Sequence, residues 1–161
     1  MKLCEIIELG KLQHKCNVSK GFHETDVPIS RVLVLIHGEV SEALECLRKP
    51  FEKSEKISEY TSYQEELSDV FLRIVAMAAN RGKINEIEVP YLDDKKLCVM
   101  SDEEFLMEIH QDITWFYMTN ECLWLCKILY MLNEREPDIL SIVRAKYEYN
   151  LTRPYKHGKK Y

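Results

Sequence analysis

The chain has 161 residues, close to the commonest single-domain length, so one hydrophobic core suffices and residues 1–161 are expected to form one domain. Apolar residues make up 46% of it and Gly and Pro number five each, which excludes a disordered or collagen-like chain and leaves few breaks for a many-stranded sandwich. The net charge of -5 gives no general drive toward nucleic acid, because duplex binding depends on neutralising phosphates with clustered Lys and Arg.

From Lys2 to about Cys16, Leu3, Ile6, Ile7 and Leu12 recur at helical spacing, and a polar stretch follows through Gly21 to Pro28. Ser30 is a suitable N-cap for a second helix, whose stripe of Val32, Leu33, Ile36, Val40, Ala43, Leu44 and Leu47 runs up to the stop at Pro50. After a charged linker, Leu67, Val70, Phe71, Ile74, Met77 and Ala78 define a third helix ending near Gly82. Residues 83–100 contain Pro90 and no period. Ser101 to Glu104 has the form of a capping box, which predicts a fourth helix running to about Asn133. Pro137 suits a helix start, so a fifth helix is expected from Asp138 to about Asn150, and Pro154 prevents it from continuing. The fold class expected is all-α, an antiparallel bundle of about five helices.

Cys4, Cys16, Cys46, Cys98, Cys122 and Cys126 follow no disulfide-framework spacing, and no basic n-region precedes an apolar run at the N-terminus. Reduced thiols and a cytoplasmic location are therefore expected. The most apolar stretch, Ile113 to Leu132, is interrupted by Asn120, Glu121 and Lys127, so no transmembrane helix is predicted.

The second helix carries Glu39-x-x-Glu42 and the third Glu66-x-x-Asp69, and an i, i+3 spacing puts each pair on one face about a turn apart. Acids on amphipathic helices are usually solvated surface charge. Two features argue otherwise here. At about 100° per residue, Glu39 falls beside the apolar stripe near Leu35 and Cys46, and Glu66 beside Val70 and Met77. Glu39, Glu42 and Glu66 also lack a Lys or Arg three or four residues onward, and uncompensated carboxylates beside a core are costly unless a cation arrives. Asp69 is ambiguous, since Arg73 stands at i+4, and Glu45 reads as a surface acid with Lys49 at i+4. All-oxygen donors on facing helices suit a hard cation such as Mg²⁺, with Mn²⁺ as a substitute, and disfavour zinc. A ferritin-like di-iron site needs Glu-x-x-His pairs, which the chain lacks.

The last nine residues, Arg153 to Tyr161, carry four Lys or Arg and no acid. If the fifth helix persists, Lys146, Asn150 and Arg153 make one polar row leading into Lys156 and His157, which could grip phosphates. A solvated basic tail is the ordinary alternative. Together the acids and bases suit a polyphosphate, bridged to the acids through magnesium.

At this point the sequence resembles the MazG-like, all-α nucleoside triphosphate pyrophosphohydrolases, whose hallmark is Glu-x-x-Glu followed by Glu-x-x-Asp. "LIHGEVSEALECLRK" and "EELSDVFLRIVAMAANRGKI" resemble the family's two metal helices, "AKYEYNLTRPYKHGKKY" its closing phosphate-binding segment, and "KGFHETD" a segment that helps hold the base in relatives. The resemblance covers about residues 20–84 and 145–161. Residues 85–144 match nothing in it and read as an atypical helical insertion, with Trp115 and Trp124 as packing residues and Phe105, Ile109, Phe116 and Leu123 as a core or subunit-contact stripe.

The resemblance implies hydrolysis of a nucleoside triphosphate between its α and β phosphates, giving a monophosphate and pyrophosphate. It implies Glu39, Glu42, Glu66 and Asp69 as metal ligands and catalytic residues, one of these or a nearby acid serving as general base. Lys146, Asn150, Arg153, Lys156 and His157 would bind substrate, and the chain would assemble as a homodimer or homotetramer that completes the bundle. A phosphoribosyl-ATP pyrophosphohydrolase and a non-catalytic helical interaction protein are the alternatives.

Overall fold

A computed structural model describes residues 2–22, 27–88 and 99–158. His23 to Asp26 of the "KGFHETD" segment, Pro90, Cys98, Lys159 and Lys160 lie outside the described residues, as does the side chain of His157. The chain is all-helical: α1 (Leu3–Ser19), α2 (Ile29–Cys46), α3 (Ser62–Asn80), α4 (Asp102–Thr119), α5 (Cys122–Arg135) and α6 (Ile139–Thr152), with short 3₁₀ turns at Ile84–Glu86 and Tyr155–Gly158.

The third helix organises the rest. From Leu67 to Ala78 nearly every side chain except Asp69 and Arg73 is buried, so α3 is apolar most of the way round and must be covered on several sides. Helices α1, α2 and α6 pack on it, α4 packs on α2, and α5 packs on α4. Large side chains such as Phe71, Phe105 and Phe116 are fully enclosed, each contributing about 1.5–3 kcal/mol of transfer free energy. Gly10 allows α1 to approach closely, because a β-carbon there would stand 2.9 Å from the Val75 carbonyl oxygen of α3.

Capping fixes where the helices begin. Ser101 and Glu104 form the expected capping box, with the Ser101 N–H donating to Glu104 Oε2 at 2.9 Å. Thr61 and Gln64 form a second, which sets the start of α3 a single turn before its acids. Ser30 is not a cap: Pro28, with its φ fixed by the ring, stands immediately ahead of Ile29, so α2 begins two residues earlier than a Ser30 cap would place it and Ser30 falls in its first turn.

The predicted fourth helix is two helices. Asn120 takes a left-handed conformation (φ 57°) and closes α4, after which α5 starts at Cys122. Asn tolerates this geometry better than most residues. The break changes the register of the apolar stripe, so Phe105, Ile109 and Phe116 are buried as expected while Leu123 is exposed. Trp124 packs against the core and lies beside Trp115, their ring centroids 5.8 Å apart. Lys127 of α5 donates to Glu108 at 2.7 Å and Asp112 at 2.8 Å on α4, tying the two helices together.

Helices α2 and α4 also meet through His37 and His110, whose Nδ1 atoms are 2.7 Å apart. The centroid separation of 4.9 Å and the small interplanar angle of 18° make this a nearly in-plane N–H···N bond. Burial lowers both pKa values, so the neutral pair with one shared proton is the favoured form. Cys4, Cys16, Cys46, Cys122 and Cys126 are free thiols. Among the described residues, no helix is long and apolar enough to cross a membrane.

Candidate metal centre

The packing of α2 on α3 brings acids from both helices to one place. Glu39 and Glu42 project from adjacent turns of α2, Glu66 stands near the start of α3, and each offers a carboxylate oxygen such that all three lie within 4.8 Å of one another. Glu42 is exposed, whereas Glu39 and Glu66 are each 8% exposed. The angular expectation that these two border the core is met. Glu66 Oε2 is buried with no hydrogen-bond partner among the described residues. Burial, and then the charges of Asp69, Glu65 and Glu39, push the Glu66 carboxyl up to about 8. The Cys46 thiol at the end of α2 is pushed up as well, by burial and by Glu66, Glu65, Glu42 and Glu52, which keeps it protonated and poorly nucleophilic.

Around this trio the protein supplies its own cations unevenly. Arg73, one turn beyond Asp69 on α3, crosses to α2 and donates both Nε, at 2.6 Å, and Nη2 to Glu39 Oε1. Lys146 from α6 holds Asp69 Oδ2 at 2.7 Å and also bonds Glu65. Glu65 further accepts from Lys56 Nζ at 2.5 Å and from the Ser54 hydroxyl. Ser54 is itself fixed by the N–H groups of Lys56 and Ile57, at 3.0 and 2.9 Å. Burial alone would raise the Glu65 carboxyl, but the bonds from Lys146, Lys56 and Ser54 outweigh it and hold the group below the usual carboxylate range. The charge of Glu65 likewise raises Lys56 against its own burial.

Three of the four predicted metal ligands therefore converge, and the fourth is placed differently. Asp69 is not one of the three clustered acids, and its partner is Lys146 instead of Arg73, which is drawn across to Glu39. Lys146, predicted to face a phosphate, is 1% exposed with its ammonium enclosed between Glu65 and Asp69, because α6 packs directly on α3. Asn150 lies one turn further along α6 and is also largely buried, while Arg153 is the first residue past the helix, in extended backbone.

The "KGF" segment and the closing segment, far apart in sequence, are joined in space. Lys20 Nζ donates to the Leu151 carbonyl at 2.9 Å and the Arg153 carbonyl at 2.5 Å, and the Lys156 N–H donates to the Lys20 carbonyl at 2.9 Å. Gly21 is left-handed (φ 79°) and lies against the Tyr155 ring, where any β-carbon would collide. The sequence pattern does not mark Glu65, Ser54 or Lys56, and it offers Arg73 only as a partner for Asp69. A local signal existed only for Glu65, which precedes Glu66 and lies four residues before Asp69.

Comparison of the chain with protein-family models, with curated proteins and with solved structures finds no match. The site's own chemistry thus carries the reading. Three carboxylates from two packed helices, one oxygen of which is buried without a donor, fit a hard divalent cation bound through oxygen. A dication there would supply the charge that Glu66 lacks.

Proposed function

We propose that this chain is a magnesium-dependent nucleoside triphosphate pyrophosphohydrolase of the MazG-like type. The observation that carries the reading is the convergence of Glu39, Glu42 and Glu66 around a buried, unpartnered Glu66 oxygen. Those three residues would hold the metal, which when bound neutralises phosphate charge and orients the attacking water. Asp69 commits Oδ2 to Lys146 and would join through its other oxygen. Lys146 becomes a positioning residue that fixes Asp69 and Glu65, leaving Asn150, Arg153, Lys156 and His157 as the groups proposed to meet phosphates, with Arg153 suited to a two-pronged grip. An antiparallel bundle closed by a second copy, acting in the cytoplasm as a single domain with an insertion at about 85–144, completes the proposal.

The test is to incubate the pure protein with each ribo- and deoxyribonucleoside triphosphate, and with phosphoribosyl-ATP, in the presence of Mg²⁺, resolving products by ion-exchange chromatography. Monophosphate and pyrophosphate in equal amounts are expected from one or more triphosphates. Turnover of phosphoribosyl-ATP alone would shift the assignment to that enzyme class, and no turnover of any substrate would refute the enzymatic reading.

A further inference from the structure

Arg73 stands where its charge conflicts with the proposed metal. Its guanidinium places two N–H groups on a single oxygen of Glu39, and Glu39 is one of the three carboxylates that converge. An Oε1 that accepts two donors from a guanidinium has its lone pairs engaged, and a dication bound to the same carboxylate would face a positive charge a few ångströms away. A dication on Glu39 would draw charge from the carboxylate and weaken the hold of Arg73 on it. The Glu39 side chain is 11% exposed and cannot move far, whereas that of Arg73 is 39% exposed and has a long flexible stem. Arg73 is therefore the partner free to leave.

We propose that Arg73 is an exchangeable counter-ion: it neutralises Glu39 until a divalent cation binds there, then turns outward and takes an anionic oxygen of the metal-bound phosphate. The proposal rests on the metal reading above and adds a phosphate-binding residue on α3 itself. Two features favour the exchange. Lys146, by contrast, is buried at 1% exposure with Glu65 and Asp69 as partners, so it is the fixed counter-ion of the pair. The guanidinium also has a planar fork matched to phosphate oxygens, and only part of its five donors is used on Glu39. A guanidinium released beside bound metal would offset phosphate charge that the dication leaves uncompensated.

The experiment follows the Arg73 Nε–H signal in ¹⁵N-labelled full-length protein, assigned by its loss in Arg73→Lys, while MgCl₂ and then inorganic pyrophosphate are added; metal binding is measured in parallel by calorimetry. The signal should leave its ion-paired position as Mg²⁺ saturates and shift again with pyrophosphate. Arg73→Gln should bind Mg²⁺ several-fold more tightly and Mg²⁺-dependent pyrophosphate about tenfold more weakly. A stationary signal during saturable Mg²⁺ binding would overturn the exchange and leave the metal site standing. Weaker binding of both ligands by Arg73→Gln would show a merely structural ion pair. No saturable Mg²⁺ binding would remove the metal reading and this proposal with it.

Discussion

Glu65 and Glu66 are adjacent on α3 and both are buried, yet their carboxylates sit in opposite electrostatic settings. Glu65 faces α6 and the linker before α3, where Lys146, Lys56 and Ser54 supply more donors than it has charge. Glu66 faces α2, among Glu39 and Glu42, with one oxygen that meets no donor among the described residues. Burying an ionised carboxylate costs several kcal/mol unless it is paired. The protein meets that cost internally on the Glu65 side and leaves it unmet on the Glu66 side. Stability accounts for the first arrangement. The second makes sense if something from outside completes it, and a divalent cation fits the donors.

The contrast can be broken most severely at the trio. Glu39→Gln or Glu66→Gln should abolish triphosphate turnover in a product assay while circular dichroism shows helicity unchanged; surviving activity would remove that residue from the metal site. Next in size is Lys146→Met, which leaves Glu65 and Asp69 without their enclosed cation. It should cost about 3–5 kcal/mol in denaturant unfolding, as for other broken buried pairs. A loss below about 1 kcal/mol would mean that the network is hydrated and dispensable.

Smaller effects separate the two glutamates by pH. The Glu66 carboxyl is raised to about 8, so the folded state holds its proton more tightly than the unfolded chain does. Its contribution to stability is complete below the ordinary carboxylate range and is lost as pH rises through about 8. Glu65 is lowered, so its contribution is present above the ordinary range and disappears as pH falls through its depressed value. Without divalent cations, Glu66→Gln should therefore raise the melting midpoint at pH 9 by a few degrees, given about 2–4 °C per kcal/mol at this size, and flatten its alkaline decline. A lower midpoint would contradict the idea that Glu66 is strained by missing charge. Smallest of all, Glu45→Ala should leave both midpoint and turnover unchanged, because Glu45 and its partner Arg48 are exposed.

The all-helical class and the three clustered acids were legible because both depend on local periodicity: an i, i+3 pair shares a face whatever it packs on. Angular position also predicted that Glu39 and Glu66 border the core. The counter-ions were not legible. Arg73 reaches Glu39 across 34 residues and Lys146 reaches Glu65 across 81, so only the packing of α2 and α6 on α3 reveals them. The pairing of Asp69 is set the same way, its i+4 neighbour Arg73 being drawn across to Glu39 and its cation coming from α6. The division of the fourth helix is not legible because residues on both sides of Asn120 are apolar at helical spacing, and periodicity reads across a single left-handed residue.

The most direct measurement is a calorimetric titration of metal-free wild type and Glu66→Gln with Mn²⁺. Saturable binding by wild type that is lost in Glu66→Gln is the result expected if the unpartnered carboxylate is a metal ligand. Equal binding by the two proteins, or none by wild type, would contradict it.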